Sequence, residues 1–345
     1  MEVLDSAINR ETTAMRVTAV LLFLAVGATA GCARPKTGIL VMAHGGDEHW
    51  NEQVQATVEP LRGEQPVEIA FGMAQTSTLR AAVERLEAQG AQRIAVVRMF
   101  ISGESFLPET EYILGLRPHL DPLGPAHHPA VASVVAHAAH DQHGGTDGDQ
   151  HGSTDGDQHG GTDGDPHAGH GTSHAMEPPQ PIQTQASLRV SRSGVGESPL
   201  IDEILVDRVR ALSTDPAGES VLILAHGPGD EAENERWLAH MRLRVQRLHA
   251  IGPFRHVHVE TLREDWPHRR AEAERRIRQY VEAGGANGGR VIVVPFRIAG
   301  FGPYAEVLEG LDYVADGRGF CPHPNMTRWI EITARECLAE GSVSR

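Results

Sequence analysis

Three cysteines in 345 residues are too few for a disulfide framework or an iron–sulfur cluster. Positive charge is also scarce: 31 Lys and Arg stand against 46 Asp and Glu, for a net charge of −15. A nucleic-acid partner needs a basic face to neutralise phosphate, so it is excluded, and a cation is the natural complement of this charge. The apolar run 17–26 falls short of the roughly 20 residues that span a bilayer as a helix.

Histidine is abundant. The chain carries 20, unevenly spread, with a dense tract beginning at His119 and ending at His174. Apolar residues make up 40% of the chain, enough for a real core at a length above one average domain.

Arg10 and Arg16 precede the run 17–26, and small residues lead from it into Cys32. That order is expected of a secretory signal peptide. The segment Thr29-Ala30-Gly31-Cys32 resembles a bacterial lipobox, whose cysteine is lipidated and becomes the new N-terminus. The resemblance implies an exported lipoprotein held to a membrane through Cys32, with 1–31 as its signal. An uncleaved apolar N-terminus with an incidental cysteine is the alternative.

After Cys32 the sequence predicts an α/β domain over 32–118, a His/Asp/Gly-rich linker over 119–198, a second α/β domain over 199–317 and a C-terminal helix over 318–345. The run Gly38-Ile39-Leu40-Val41-Met42-Ala43 reads as a strand buried on both faces. His44-Gly45-Gly46-Asp47 follows, then a helix with Trp50, Val54, Val58 and Leu61 on one face. Strands are expected at 67–71 and 93–101, around a helix that Gly90 terminates. The second domain repeats the order: Val221-Leu222-Ile223-Leu224-Ala225, then His226-Gly227-Pro228-Gly229-Asp230, a helix through Trp237, a strand at 257–262, a helix over 268–283 and a strand at 290–296. Repeated β-α-β-α-β order implies two parallel, flavodoxin-like sheets related by duplication.

The linker repeats itself. His143 opens His-Gly-Gly-Thr-Asp-Gly-Asp-Gln, and His151, His159 and His167 keep the eight-residue step. Gly and Asp at this density bury too little surface to offset chain entropy, so disorder is expected. The tract reads either as an inert spacer or as a weak divalent-metal ligand set, with imidazole and carboxylate alternating.

In a parallel sheet, ligands bind beyond the carboxyl ends of the strands. His44 and His226 both occupy that edge. Either histidine alone could simply cap its strand, but the same residue at the same place in both halves points to a shared function.

The strand, the His-Gly step, a helix containing Asn and a third strand ending in Phe100-Ile101-Ser102-Gly103 or Ile298-Ala299-Gly300 resemble the CbiX-type sirohydrochlorin chelatases, over 38–116 and more weakly over 221–311. The resemblance implies ATP-independent insertion of Co²⁺, Fe²⁺ or a similar ion (Ni²⁺ or Zn²⁺) into a tetrapyrrole. His44 and His226 would be the metal-binding and catalytic histidines. Asn51 and Asn234 follow them at seven and eight residues, one residue out of step.

The family's second histidine is missing: Phe106 and Pro303 stand in its place. Glu104 or Glu109 could supply an oxygen ligand or accept protons instead. Two functions stay open at this point, chelatase chemistry with the two halves pooling His44 and His226, or a non-catalytic exported metal carrier on the same scaffold. Cys321 is expected to pack, or to pair with Cys337. Asn325 is expected to cap a helix over 326–338, and 263–278 reads as a solvated, charge-dense helix face.

Overall fold

A computed structural model describes residues 35–120 and 178–339. Cys32 with its preceding signal, and His143, His151, His159 and His167 with the expected disorder of their tract, lie outside the described residues. The chain divides into Met1–Lys36 and Thr37–Arg345, and the architecture below is that of the second unit. Among the described residues no helix is long and apolar enough to cross a membrane.

The strands are β1 Thr37–Ala43, β2 Val67–Phe71, β3 Arg93–Met99, β4 Ser187–Val190, β5 Glu219–Ala225, β6 His256–Thr261 and β7 Arg290–Pro295. The helices are α1 Glu48–Val58, α2 Thr76–Ala88, α3 Leu107–Ile113, α4 Leu200–Leu212, α5 Glu231–Arg244, α6 Pro267–Gly285, α7 Tyr304–Val307 and α8 Pro324–Ala339.

The apolar runs become the central strands because helices cover both of their faces. The first sheet is parallel with order β2-β1-β3-β4, and Ala43 lies level with Phe71 and Met99. The second has order β6-β5-β7, with Ala225 level with Thr261. Beside β7, Val314 makes a single parallel bridge to Ile292, in the position β4 holds in the first sheet. The two sheets share one topology, as duplication requires.

β4 lies inside the stretch expected to be linker. The described part of that stretch, 178–198, belongs to the fold. Ser187–Val190 alternates exposed and buried residues, pairs with β3, and buries Leu188 and Val190. The hydroxyl of Thr184 and the amides of Gln185 and Ala186 donate to Glu87, anchoring the approach to the strand. Four residues are too few to register as a strand pattern against a Gly- and Pro-rich background.

The sequence boundaries at 199 and 318 do not separate two independent domains. Helix α4 packs on β7 and α5, while α8 crosses back to pack on β3, β4 and α1. Each half thus covers one sheet face with a helix from beyond its own repeat. One core results, joining Val54 and Val97 of the first half to Ile204, Met241, Ile292 and Trp329. Each such side chain contributes about 1.5–3 kcal/mol when fully buried, so this shared layer binds the halves firmly. The outer faces keep separate cores under α2 and α6. Cys321 and Cys337 both pack as buried thiols in the shared core. Asn325 sits inside α8 and donates its side-chain amide to the Leu200 carbonyl. The ring Nδ1 of His323 accepts from the Asn325 backbone amide instead.

Candidate functional site

His44 and His226 each stand one residue past the central strand of their sheet. In both, Nδ1 lies 2.7 Å from the carbonyl oxygen of the following glycine. A carbonyl only accepts, so Nδ1 carries the proton, and in the neutral ring Nε2 keeps the lone pair. Gly45 and Gly227 hold this geometry at φ 82° and 78°, a left-handed conformation costly for other residues. A Cβ on Gly45 would also press on Phe71 at 3.2 Å. Asp47 and Asp230 then cap α1 and α5, accepting from Trp50 N at 2.7 Å and Glu233 N at 2.8 Å.

The two rings sense one another. His226 is among the charges that lower the pKa of His44, after the desolvation imposed by surrounding protein, and Arg297 lowers it further. His44 is therefore neutral at neutral pH, with a lone pair to offer. His226 goes the other way. Burial would lower its pKa, but a hydrogen bond from Nε2 to Asp265 at 3.0 Å and the nearby Glu264 at 3.9 Å raise it above the usual value. Glu264 is paired in turn with Arg297, whose guanidinium lies 5.7 Å from the centre of the Tyr304 ring. The two strand ends thus carry one imidazole with a lowered pKa, one with a raised pKa, and the carboxylates Glu264 and Asp265 beside the second.

The loops carrying the histidines are clamped differently, and a one-residue length difference explains why. In the first half, Asn51 accepts from Gly46 N and donates to Gly46 O, both at 3.1 Å. In the second half Pro228 lengthens the loop, and Asn234 reaches Thr261 Oγ1 at 2.7 Å instead. Arg263 takes over the clamp. Its backbone amide donates to the His226 carbonyl at 2.7 Å, and its buried guanidinium donates to the carbonyls of Pro228 and Gly229. Arg263 adopts φ 59° to do so. A non-glycine residue held there marks a position fixed by its surroundings at some cost.

Glu104 forms a two-pronged ion pair with Arg236 of α5, at 2.7 and 3.0 Å, tying the loop behind β3 to the second half. It is engaged as a tether, and the carboxylates that act on His226 are Glu264 and Asp265. Glu109 is buried in the first turn of α3. Phe106 is buried against Phe100, with ring centroids 5.3 Å apart, and Pro303 precedes α7. Neither replaces the missing histidine. Among the described residues no group of three or more His, Cys, Asp or Glu side chains is arranged to hold a metal ion.

Sequence reasoning passed over Glu264, Asp265 and Arg297. The first two follow β6 at the sheet's carboxyl edge, a position that could have flagged them. They begin a run of mixed charges, however, and 263–278 reads as solvated helix. In the structure Arg263 is buried and α6 starts only at Pro267.

A family model described as CbiX matches residues 38–103, from β1 to the loop behind β3. Among solved structures, SirB from Bacillus subtilis with Fe³⁺ is similar at 14% identity, covering 89% of this chain and 97% of its own, with a TM-score of 0.53. A periplasmic binding ribose operon repressor protein from Lactobacillus acidophilus is similar at 10% identity, covering 90% and 92%, with a TM-score of 0.34. No curated protein matches the chain by sequence.

Proposed function

We propose, from the match of residues 38–103 to the family model described as CbiX, that the protein binds a divalent metal ion between His44 and His226 and inserts it into a sirohydrochlorin-type tetrapyrrole. The observation that carries this is the duplicated histidine: two imidazoles at equivalent strand ends, each with Nδ1 engaged by a glycine carbonyl. SirB, a solved structure of like fold, was determined with Fe³⁺. The metal here is substrate. Its identity among Co²⁺, Fe²⁺, Ni²⁺ and Zn²⁺ is left to the ligand chemistry, and imidazole nitrogen suits all four.

Insertion balances as follows. The macrocycle releases two pyrrole N–H protons as its nitrogens bond the ion, so the site must first hold M²⁺ and then receive two protons. Nε2 of His44 supplies the lone pair. Nε2 of His226 becomes a ligand only after its own proton moves to Asp265 or to water. Once the metal leaves for the ring, His226 and the carboxylates Asp265 and Glu264 can take the departing protons. Anaerobic assay of Co²⁺ insertion into sirohydrochlorin tests this directly. Turnover that is lost in His44→Ala is expected, and turnover unaffected by it refutes the assignment.

A second function rests on the N-terminal motif and the histidine tract. A lipoprotein anchored at Cys32 could carry or buffer metal through His143, His151, His159 and His167 without any macrocycle chemistry. It is favoured by the mismatch between an export signal and a cytoplasmic biosynthetic task. A Cys32→Ser variant that keeps its mature size and detergent partitioning would refute the anchor. Metal content with and without residues 119–177 separates carriage by the tract from binding in the cleft.

A further inference from the structure

Aromatic residues are only 5% of the chain, and four of them are tryptophan. Trp329 is buried in the shared core and Trp237 packs against it. The other two are half-buried, Trp50 in the first turn of α1 and Trp266 immediately before α6, and each packs against a glycine of a histidine loop. Trp50 lies over Gly46, where an added Cβ would come within 2.9 Å of its ring. It also reaches the second half, where a Cβ on Gly300, in the loop behind β7, would stand 3.7 Å from it. Phe71 meets it edge-on at 6.4 Å. Trp266 fills the space that a Cβ on Gly229 would need, and meets the His226 ring edge-on at 6.1 Å.

Both indoles are thus seated on glycine backbone that no side-chain-bearing residue could provide, and both keep part of their surface open. Seating on glycine backbone fixes each ring in place while leaving part of it exposed. Such a ring suits a platform for a flat ligand, because a ring fixed before binding loses little freedom on binding.

Resting on the metal-insertion function proposed above, we propose that Trp50 and Trp266 are the recognition surfaces for the macrocycle, stacking a planar conjugated ring beside His44 and His226. The ligand class is a flat π-system, selected by planarity rather than by its carboxylates. A cleft containing Glu264 and Asp265 is poorly suited to attract acidic side chains, whereas indole stacking is indifferent to them. Trp50 and Trp266 are recognition residues here. The metal-binding step does not involve them.

The test uses the full chain and two probes with identical carboxylates: uroporphyrin, which is planar and conjugated, and uroporphyrinogen, which is neither, kept anaerobic and dark. Trp50→Leu and Trp266→Leu are each expected to weaken uroporphyrin binding roughly five- to tenfold, the scale of one aromatic contact. Uroporphyrinogen binding and Co²⁺ affinity should be unchanged, and Trp50→Phe should recover part of the loss. Uroporphyrin binding that matches wild type in both leucine variants overturns the proposal while leaving metal binding intact. Equal weakening for both probes also overturns it, since charge and not planarity would then be recognised. Wild type that binds Co²⁺ but neither probe overturns the macrocycle role altogether, and wild type that fails to bind Co²⁺ refutes instead the function on which it rests.

Discussion

Two histidines with the same backbone bond have pKa values shifted in opposite directions, and their neighbours set the difference. Asp265 is the neighbour that holds a proton on His226. A metal must displace that proton, so affinity should rise as pH climbs through and beyond the ordinary histidine value near 6.5. Asp265→Asn removes the partner that raises the pKa, and the midpoint of Co²⁺ affinity against pH should move down. An unmoved midpoint would mean that His226 takes no part in binding. A second buried carboxylate acts on stability instead. Burial would raise the pKa of Glu219, but hydrogen bonds from Ser213, Thr214 and Asp215 and the contact with Arg290 outweigh it and bring the value to about 2. Its folded pKa is depressed, so its contribution is present above the unfolded value near 4.5 and is lost as pH falls toward 2. Glu219→Gln should cost on the order of 2–3 kcal/mol at neutral pH by denaturant melting. That deficit should shrink as acid protonates the wild-type group. A deficit that is constant with pH would contradict the assignment.

At the scale of elements, the clamp on the second histidine loop offers a sharper test than removing the histidine. Arg263→Met should loosen the loop and weaken Co²⁺ binding roughly tenfold, with its buried carbonyls left unsatisfied. Deleting Pro228 in the same background restores the seven-residue His-to-Asn spacing of the first half. Calorimetry should then show part of the affinity return. No recovery would show that Asn234 cannot substitute for Arg263. These are features the sequence only half disclosed. Central strands were legible because 38–43 and 221–225 are unbroken apolar runs, and both histidines were placed by counting past them. β4 was not, since Ser-Leu-Arg-Val is short, half-exposed and embedded in turn-forming residues. Glu264 and Asp265 were hidden in a run of alternating charge, where a site carboxylate and a solvated one look alike. The takeover of the clamp by Arg263 was beyond any pattern, because it depends on a positive φ that the sequence does not signal at arginine.

For the whole molecule, the exchange of α4 and α8 between the sheets decides cooperativity. No periodicity announces which sheet a helix covers, so two beads on a linker was the natural expectation. A shared core instead predicts one thermal transition by circular dichroism for the whole chain. Removing 318–345 should destabilise the first sheet as well as the second, since α8 covers β3. Two separate transitions, or a first half that melts unchanged without α8, would contradict the exchange. The same shared core carries both histidine-bearing strands, and joint metal binding takes from it the premise that the two strand ends act together. Titration calorimetry of Co²⁺ into wild type, His44→Ala, His226→Ala and the double variant, all lacking 121–177 so that the histidine tract contributes nothing, tests that premise most directly. Joint ligation predicts that each single substitution abolishes tight binding and that the double variant is no worse than either. Losses that add, or one histidine whose removal is silent, would contradict it.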